Sequence, residues 1–211
     1  MITLHGYNYD VVERIEKMTD ELFANYHELE SERLLLRRIT MQDLDDVFEI
    51  YSNKEVMLYF ADRFPFEKST EAETMIREYE EALTKHWSMR WGIVLKESGK
   101  LIGTCGFHAL SEYDKRIEVG YDLNREYWQK GIMTEALSLI INHAFGCSDV
   151  NRIEAMVEPP NTGSRALLEK LGFQYEGTLR KHEMCRGDFV DIQMFSLLRE
   201  DRKLGGTYGI E

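Results

Sequence analysis

Residues 116–123, Arg-Ile-Glu-Val-Gly-Tyr-Asp-Leu, alternate in character as a strand does. A short polar turn follows. Beyond it, over about 130–146, Ala136, Leu137, Ile140, Ile141, Ala144 and Phe145 recur on one face of a helix. A strand that runs so quickly into an apolar helix requires a sheet with that helix packed on it. The juncture is Tyr127-Trp128-Gln129-Lys130-Gly131-Ile132-Met133-Thr134, with Gly131 where the helix begins. A helix start leaves backbone N–H groups without partners, and its dipole favours negative charge. Gly131 has no Cβ, so a diphosphate can approach the backbone. Lys130 adds a mobile cation and the Thr134 hydroxyl a further donor. By itself, a glycine before a helix equally describes a plain strand–helix turn. The patterns GxxxxGK[ST] and GxGxxG are absent.

The rest of the chain supplies the sheet. Val11, Ile15, Met18, Leu22, Tyr26 and Leu29 predict an amphipathic helix over 10–29, packed on the domain or on a second subunit. Residues 32–39 read as a strand. Residues 41–53 and 70–86 read as helices, the second opened by a capping box of Thr70 and Glu73. Strands at 91–96 and 101–110 flank a hairpin signal at Glu97-Ser98-Gly99-Lys100. A strand at 152–158 and a short helix at 163–171 follow, the helix stopped by Gly172. Strands near 173–179 and 189–198 close the chain, with a frayed end containing GGTYG. The order predicts an α+β or mixed α/β sheet with helices on both faces.

No apolar run approaches the roughly 18 residues of a membrane helix. No signal peptide is visible in MITLHGYNYD, and Cys105, Cys147 and Cys185 suggest no disulfide framework. A cytoplasmic protein is the expectation, with no membrane partner. The net charge of −12 disfavours nucleic acid and favours cationic partners such as amines and basic protein tails, although it also serves solubility. His143 and Cys147 stand four residues apart, and two ligands make no metal site.

A second segment runs Asn161-Thr162-Gly163-Ser164-Arg165-Ala166-Leu167-Leu168-Glu169-Lys170-Leu171-Gly172-Phe173. Alone, Asn161 is an N-cap. Together with Trp128-Gln129-Lys130-Gly131-Ile132-Met133-Thr134-Glu135-Ala136, this segment resembles the GCN5-related N-acetyltransferase (GNAT) superfamily. The chain is most similar to its bacterial RimJ/RimL-type subgroup, which acetylates N-termini of ribosomal proteins. Glu32-Arg33-Leu34-Leu35-Leu36-Arg37, Glu118-Val119-Gly120-Tyr121 and Glu176-Gly177-Thr178-Leu179-Arg180 match further motifs in the family's order. The resemblance spans about 31–200, so residues 1–30 read as a helical extension and 201–211 as a tail.

The resemblance implies a GNAT fold: a mixed, mostly antiparallel sheet splayed between its fourth and fifth strands, those at 116–123 and 152–158. It implies acetyl-CoA as co-substrate, with pantetheine in the gap against the backbone of Tyr121, Asp122 and Leu123. The diphosphate would lie on Gln129, Lys130, Gly131, Ile132, Met133 and Thr134, and Asn161 would bond the pantetheine arm. The chain departs from the family in three places. Trp128 replaces the usual Arg or Gln, Leu168 stands where many relatives carry an acidic Tyr, and Met156 where some carry a base.

Acetyl transfer needs a neutral amine, a polarised carbonyl and a proton for the thiolate. Candidate bases are Glu118 and His108, and Ser164 is the candidate acid, with Tyr175 a lesser one. Strand alternation places Glu118 and Tyr121 on opposite faces unless a bulge intervenes. Keeping a lysine amine neutral near pH 7.5 costs about 4 kcal/mol, against under about 1 for an α-amine. The favoured acceptor is therefore the N-terminal α-amine of a protein or peptide. The alternatives are a small amine (aminoglycoside, polyamine or amino acid) or a CoA-binding regulatory module without turnover. Tyr59, Phe60, Asp62 and Phe64 offer an acceptor wall suited to a cation. A homodimer is compatible with all of these.

Overall fold

A computed structural model describes residues 17–60 and 63–201. Its helices are α1 (Lys17–Ala24), α2 (Leu44–Ser52), α3 (Ser69–Thr84), α4 (Ile132–Cys147) and α5 (Thr162–Lys170). Its strands are β1 (Leu29–Glu30), β2 (Leu34–Arg37), β3 (Met89–Leu95), β4 (Leu101–Ser111), β5 (Arg116–Leu123), β6 (Arg152–Val157), β7 (Gln174–Cys185) and β8 (Asp188–Leu198). They form one sheet in the order β1-β2-β3-β4-β5-β6-β8-β7. Neighbours are antiparallel except β5 and β6, which run parallel. The two-residue β1 shifts the expected fourth and fifth strands to β5 and β6. Val11, Ile15, Asp62 and the stretch from 202 lie outside the described residues.

Alternation along the strands builds two cores. Met89, Trp91, Cys105, Phe107, Ile117 and Val119 face α1, α4 and α5. Val94 and Leu101 face α2 and α3, where Val47, Ile50, Tyr51, Met75 and Ile76 are buried. Met18 and Leu22 of α1 are fully buried in the first core, so this helix packs on its own sheet. Burying each of two such side chains is worth roughly 1.5–3 kcal/mol.

Three local expectations change. The first helix ends at Ala24, five residues early, because the Asn25 amide donates to Glu21 O at 2.7 Å and satisfies a terminal carbonyl. Tyr26 then leaves the helical path; its hydroxyl donates to Arg90 O and its ring packs on Trp91. Helix α3 starts at Ser69, which makes Glu71 rather than Glu73 the capping carboxylate. Glu71 accepts the Glu67 and Lys68 N–H groups, while Glu73 pairs with Arg77. The final hairpin is longer than its sequence pattern, because register shifts at Tyr175/Gly177 and Leu179/Glu183 break the alternation.

Candidate functional site

The parallel pairing of β5 with β6 runs through Arg116–Arg152, Ile117–Ile153 and Glu118–Glu154, and stops there. Both strands continue beyond that point. Strand β5 stays paired with β4 to Leu123, and β6 with β8 to Val157. The sheet therefore splays between residues 119–123 and 155–157. Charges staple the closed end: Glu154 accepts from Arg116 Nη1 at 2.8 Å and Arg152 Nε at 2.7 Å, and Arg152 continues to Glu176.

Register decides which backbone groups face the opening. Asn124 N–H donates to Ile102 O, so the even-numbered residues of β5 bond toward β4. Tyr121 and Leu123 direct their N–H and C=O groups into the gap. Asp122, the third residue expected to meet pantetheine, directs its backbone toward Thr104 instead. Its carboxylate pairs with Arg90 on the α2/α3 face. The Leu123 carbonyl accepts the Trp128 indole N–H at 2.7 Å, so Trp128 ties the turn to the end of the strand.

The turn itself bends twice through left-handed backbone, at Gln129 (φ 59°) and Gly131 (φ 74°). Glycine removes the steric cost at the second bend. Backbone N–H groups of residues 129–134 have no acceptor among the described residues; the first helical bond is Glu135 N–H to Gly131 O. Such a nest at a helix start fits a diphosphate. Gln129, Lys130 and Gly131 are exposed there, and Ile132 and Met133 turn their side chains into the core.

The proton-handling candidates divide between the two faces of the splay. On the α2/α3 face, His108 and Glu118 sit opposite each other on β4 and β5, with Nε2 3.5 Å from Oε1. On the α4/α5 face, the hydroxyls of Ser164 and Tyr121 are 2.6 Å apart. The absence of a bulge from Glu118 to Leu123 keeps Glu118 and Tyr121 on opposite faces. Burial pushes the Tyr121 hydroxyl up to about 12. A phenol of that strength donates a hydrogen bond to a thiolate without surrendering its proton. Asn161 Oδ1 accepts the Ser164 N–H at 3.2 Å and caps α5. Gln193, opposite Val157 at the open end of β6, has its Oε1 buried without a partner among the described residues. Tyr175 lies off this group, its hydroxyl bonded to Thr178.

The α2–α3 loop is divided too. Phe60 packs on Tyr51, whereas Phe64 is 69% exposed. Arg186, at the tip of the β7–β8 hairpin, donates to Met57 O at 2.6 Å and joins that hairpin to the loop beside the splay. Three contributors were not legible as site residues. Arg33 donates to both Glu135 and Lys130 O, beside the turn. Trp128 anchors that turn. Arg90 is held in a polar group with Asp122, Thr104 and Tyr51. Only the row Arg90, Gly106, Gly120 in a strand alignment would have pointed to Arg90.

Residues 33–174 match the acetyltransferase (GNAT) domain family. An uncharacterised N-acetyltransferase of Bacillus licheniformis, p20, is 40% identical over 173 residues, covering 82% of this chain and 97% of that protein. The ribosomal-protein-serine acetyltransferase of Escherichia coli is 28% identical over 106 residues, 49% of this chain and 58% of its own. Among solved structures, RimL, a ribosomal L7/L12 alpha-N-protein acetyltransferase in complex with coenzyme A, superposes with a TM-score of 0.73 at 19% identity. The match covers 82% of this chain and 98% of that one. The chain belongs to the GNAT acetyltransferase family and is an acetyl-CoA-dependent N-acetyltransferase.

Proposed function

We propose that the acceptor is the N-terminal α-amine of a protein or peptide. The observation that carries this reading is the division of polar groups across the splay. His108 and Glu118 lie together on one face, which we assign to the amine, and Tyr121 and Ser164 on the other, which we assign to the sulfur. In the transfer a C–N bond forms and the thioester C–S bond breaks; the amine loses a proton and the sulfur gains one. The His108–Glu118 pair takes the amine proton. The joined hydroxyls of Tyr121 and Ser164 stabilise the departing thiolate, and solvent supplies its proton. The backbone N–H groups of Tyr121 and Leu123 in the gap are the donors available to the thioester carbonyl and the pantetheine arm.

An imidazole–carboxylate pair matches an amine of pKa about 7.7–8.0 far better than a lysine amine near 10.4. The net charge of −12 attracts a basic protein N-terminus. The names of the RimL structure and the E. coli relative, both acting on ribosomal proteins, lend the same direction. Thiol release from acetyl-CoA tests the reading across three acceptor sets. These are short peptides with free N-termini, the same peptides blocked at the N-terminus but carrying lysine, and small polyamines or aminoglycosides. Turnover confined to free N-termini, with the added acetyl mapped to the α-nitrogen by mass spectrometry, is expected. Turnover on small amines alone, or coenzyme A binding with no thiol release on any acceptor, removes it.

A further inference from the structure

On the α2/α3 face, Arg90 of β3 lies in register with Gly106 of β4, and Gly106 with Gly120 of β5. Two successive glycines leave a bare track across the sheet. Along it the Arg90 side chain reaches the edge of the splay. Its guanidinium is fixed on two sides. Nε donates to Thr104 Oγ1 at 2.9 Å, and Nη2 pairs with Asp122, which also accepts the Tyr51 hydroxyl at 3.3 Å. The ring of Tyr79 stacks on it, 5.5 Å from Cζ to centroid. The third nitrogen, Nη1, has no acceptor among the described residues. A Cβ placed on Gly120 would stand 3.3 Å from that Nη1 and 3.1 Å from His108 Cε1. Gly120 is two residues past Glu118, where pairing with β6 ends.

Burying an ion pair costs desolvation that an apolar pair would avoid, so this assembly is weak as a device for stability alone. Its geometry makes sense as a preset donor. A group resting on Gly120 meets an imidazole on one side and a guanidinium N–H on the other. We infer that Arg90 is a specificity residue that donates to the oxygen of an α-amino-acyl acceptor, the carbonyl adjacent to the reacting amine, while His108 faces the amine. This rests on the α-amine reading above and names what recognises such an acceptor. A peptide carbonyl and the carboxylate of a free amino acid share that chemistry, and they are separated by the acceptors used in the test.

The test compares kcat/KM for an alanyl peptide, alaninamide, free alanine and isopropylamine, which keeps the alanine skeleton but lacks the carbonyl. A hydrogen bond to a charged donor favours the carbonyl-bearing acceptors over isopropylamine by roughly ten- to a hundredfold. Arg90→Gln is expected to lower that ratio roughly ten- to a hundredfold, to the remainder set by the higher basicity of an alkylamine, and Arg90→Lys to an intermediate value. Should Arg90→Gln not fold, Gly120→Ala leaves the ion pair intact and crowds Nη1, and its ratio must fall as well. Turnover of alanine at the rate of alaninamide assigns the carboxylate as an equal ligand; preference for the amide and peptide assigns the carbonyl. Equal wild-type turnover of alaninamide and isopropylamine overturns the inference. So does a preserved ratio in Arg90→Gln, or in Gly120→Ala where the first variant fails to fold, with the α-amine reading left standing. Wild-type enzyme active on polyamines but on none of the alanyl compounds overturns that reading itself.

Discussion

Arg33 lies 97 residues before Lys130 of the turn at 129–134, and its removal tests the proposal that this turn receives a diphosphate. Its Nε and Nη2 donate to Glu135, which also accepts the Ser31 hydroxyl. Its Nη1 donates to Lys130 O at 3.2 Å, and Nη2 lies 3.7 Å from where a Cβ on Gly131 would be. Burial alone would raise the Glu135 carboxyl, but hydrogen bonds from Ser31 and Arg33 outweigh it and hold the group below the usual range. Glu135 is thus an anion in the first turn of a helix whose start fits a diphosphate. Arg33 neutralises it. In Arg33→Gln the bare carboxylate opposes the ligand. Charges at helix ends are worth about 0.3–2 kcal/mol, and about 1.4 kcal/mol corresponds to a tenfold rise in Kd for coenzyme A. Fold stability should change far less. The bridge is 46% exposed on the arginine side, which limits it to about 1 kcal/mol and the Tm change to roughly 2–4 °C. Calorimetric titration with coenzyme A at low ionic strength measures the effect, and added salt should shrink it. Adding Glu135→Gln to Arg33→Gln should restore affinity to within about threefold of wild type, since the offending charge is gone. A Kd within twofold of wild type in Arg33→Gln would refute the reasoning, as would a double variant no tighter than the single one.

Other outcomes follow from the same geometry. Ser164→Ala should lower kcat about a hundredfold while the Kd for coenzyme A stays within twofold, and Tyr121→Phe combined with it should cost little more, because the two hydroxyls act as a unit. Additive losses measured by single-turnover kinetics would separate them. Gly131→Val places a branched side chain at φ 74° in the nest, so it should weaken coenzyme A binding at least tenfold and lower Tm by several degrees, at a cost of roughly 1–2 kcal/mol; unaltered binding by calorimetry would remove the nest from the site. Hydrogen bonding to Arg152 holds the Glu176 carboxyl down at about 2 against an ordinary value of 4.5. Its stabilisation is therefore complete above pH 4.5 and lost as the pH falls toward 2. Urea midpoints followed over that window should fall more steeply for wild type than for Glu176→Gln, and parallel curves would contradict the assignment.

Much of the architecture was legible because it rests on local periodicity. The 116–123 strand has its expected bounds, α4 begins and ends within two residues of its apolar pattern, and Gly172 (φ 86°) stops α5 as anticipated. The misjudged elements are those where a local pattern outruns the local structure. Leu29 continues the helical spacing of α1 but belongs to a strand, because the Asn25 side chain ends the helix first. The β7–β8 hairpin hides behind its bulges and a strand exposed on both faces, so no apolar alternation marks it. Motif matching located the turn at Gly131 and the segment from Asn161, yet it missed what surrounds them. Trp128 stands where the family usually carries Arg or Gln, and its indole N–H fastens the turn to Leu123 O. Arg33 and Arg90 act on partners 102 and 32 residues away, and such pairs become visible only when strand register is known.

A crystal structure of the chain with coenzyme A bound addresses the opened sheet directly. Diphosphate oxygens within ~3.2 Å of backbone N–H groups in the 129–134 turn, and a pantetheine amide bonded to the Tyr121 backbone inside the gap, are the expected result. Strands β5 and β6 closed together beyond Glu118 and Glu154, with the ligand bound elsewhere, would contradict it.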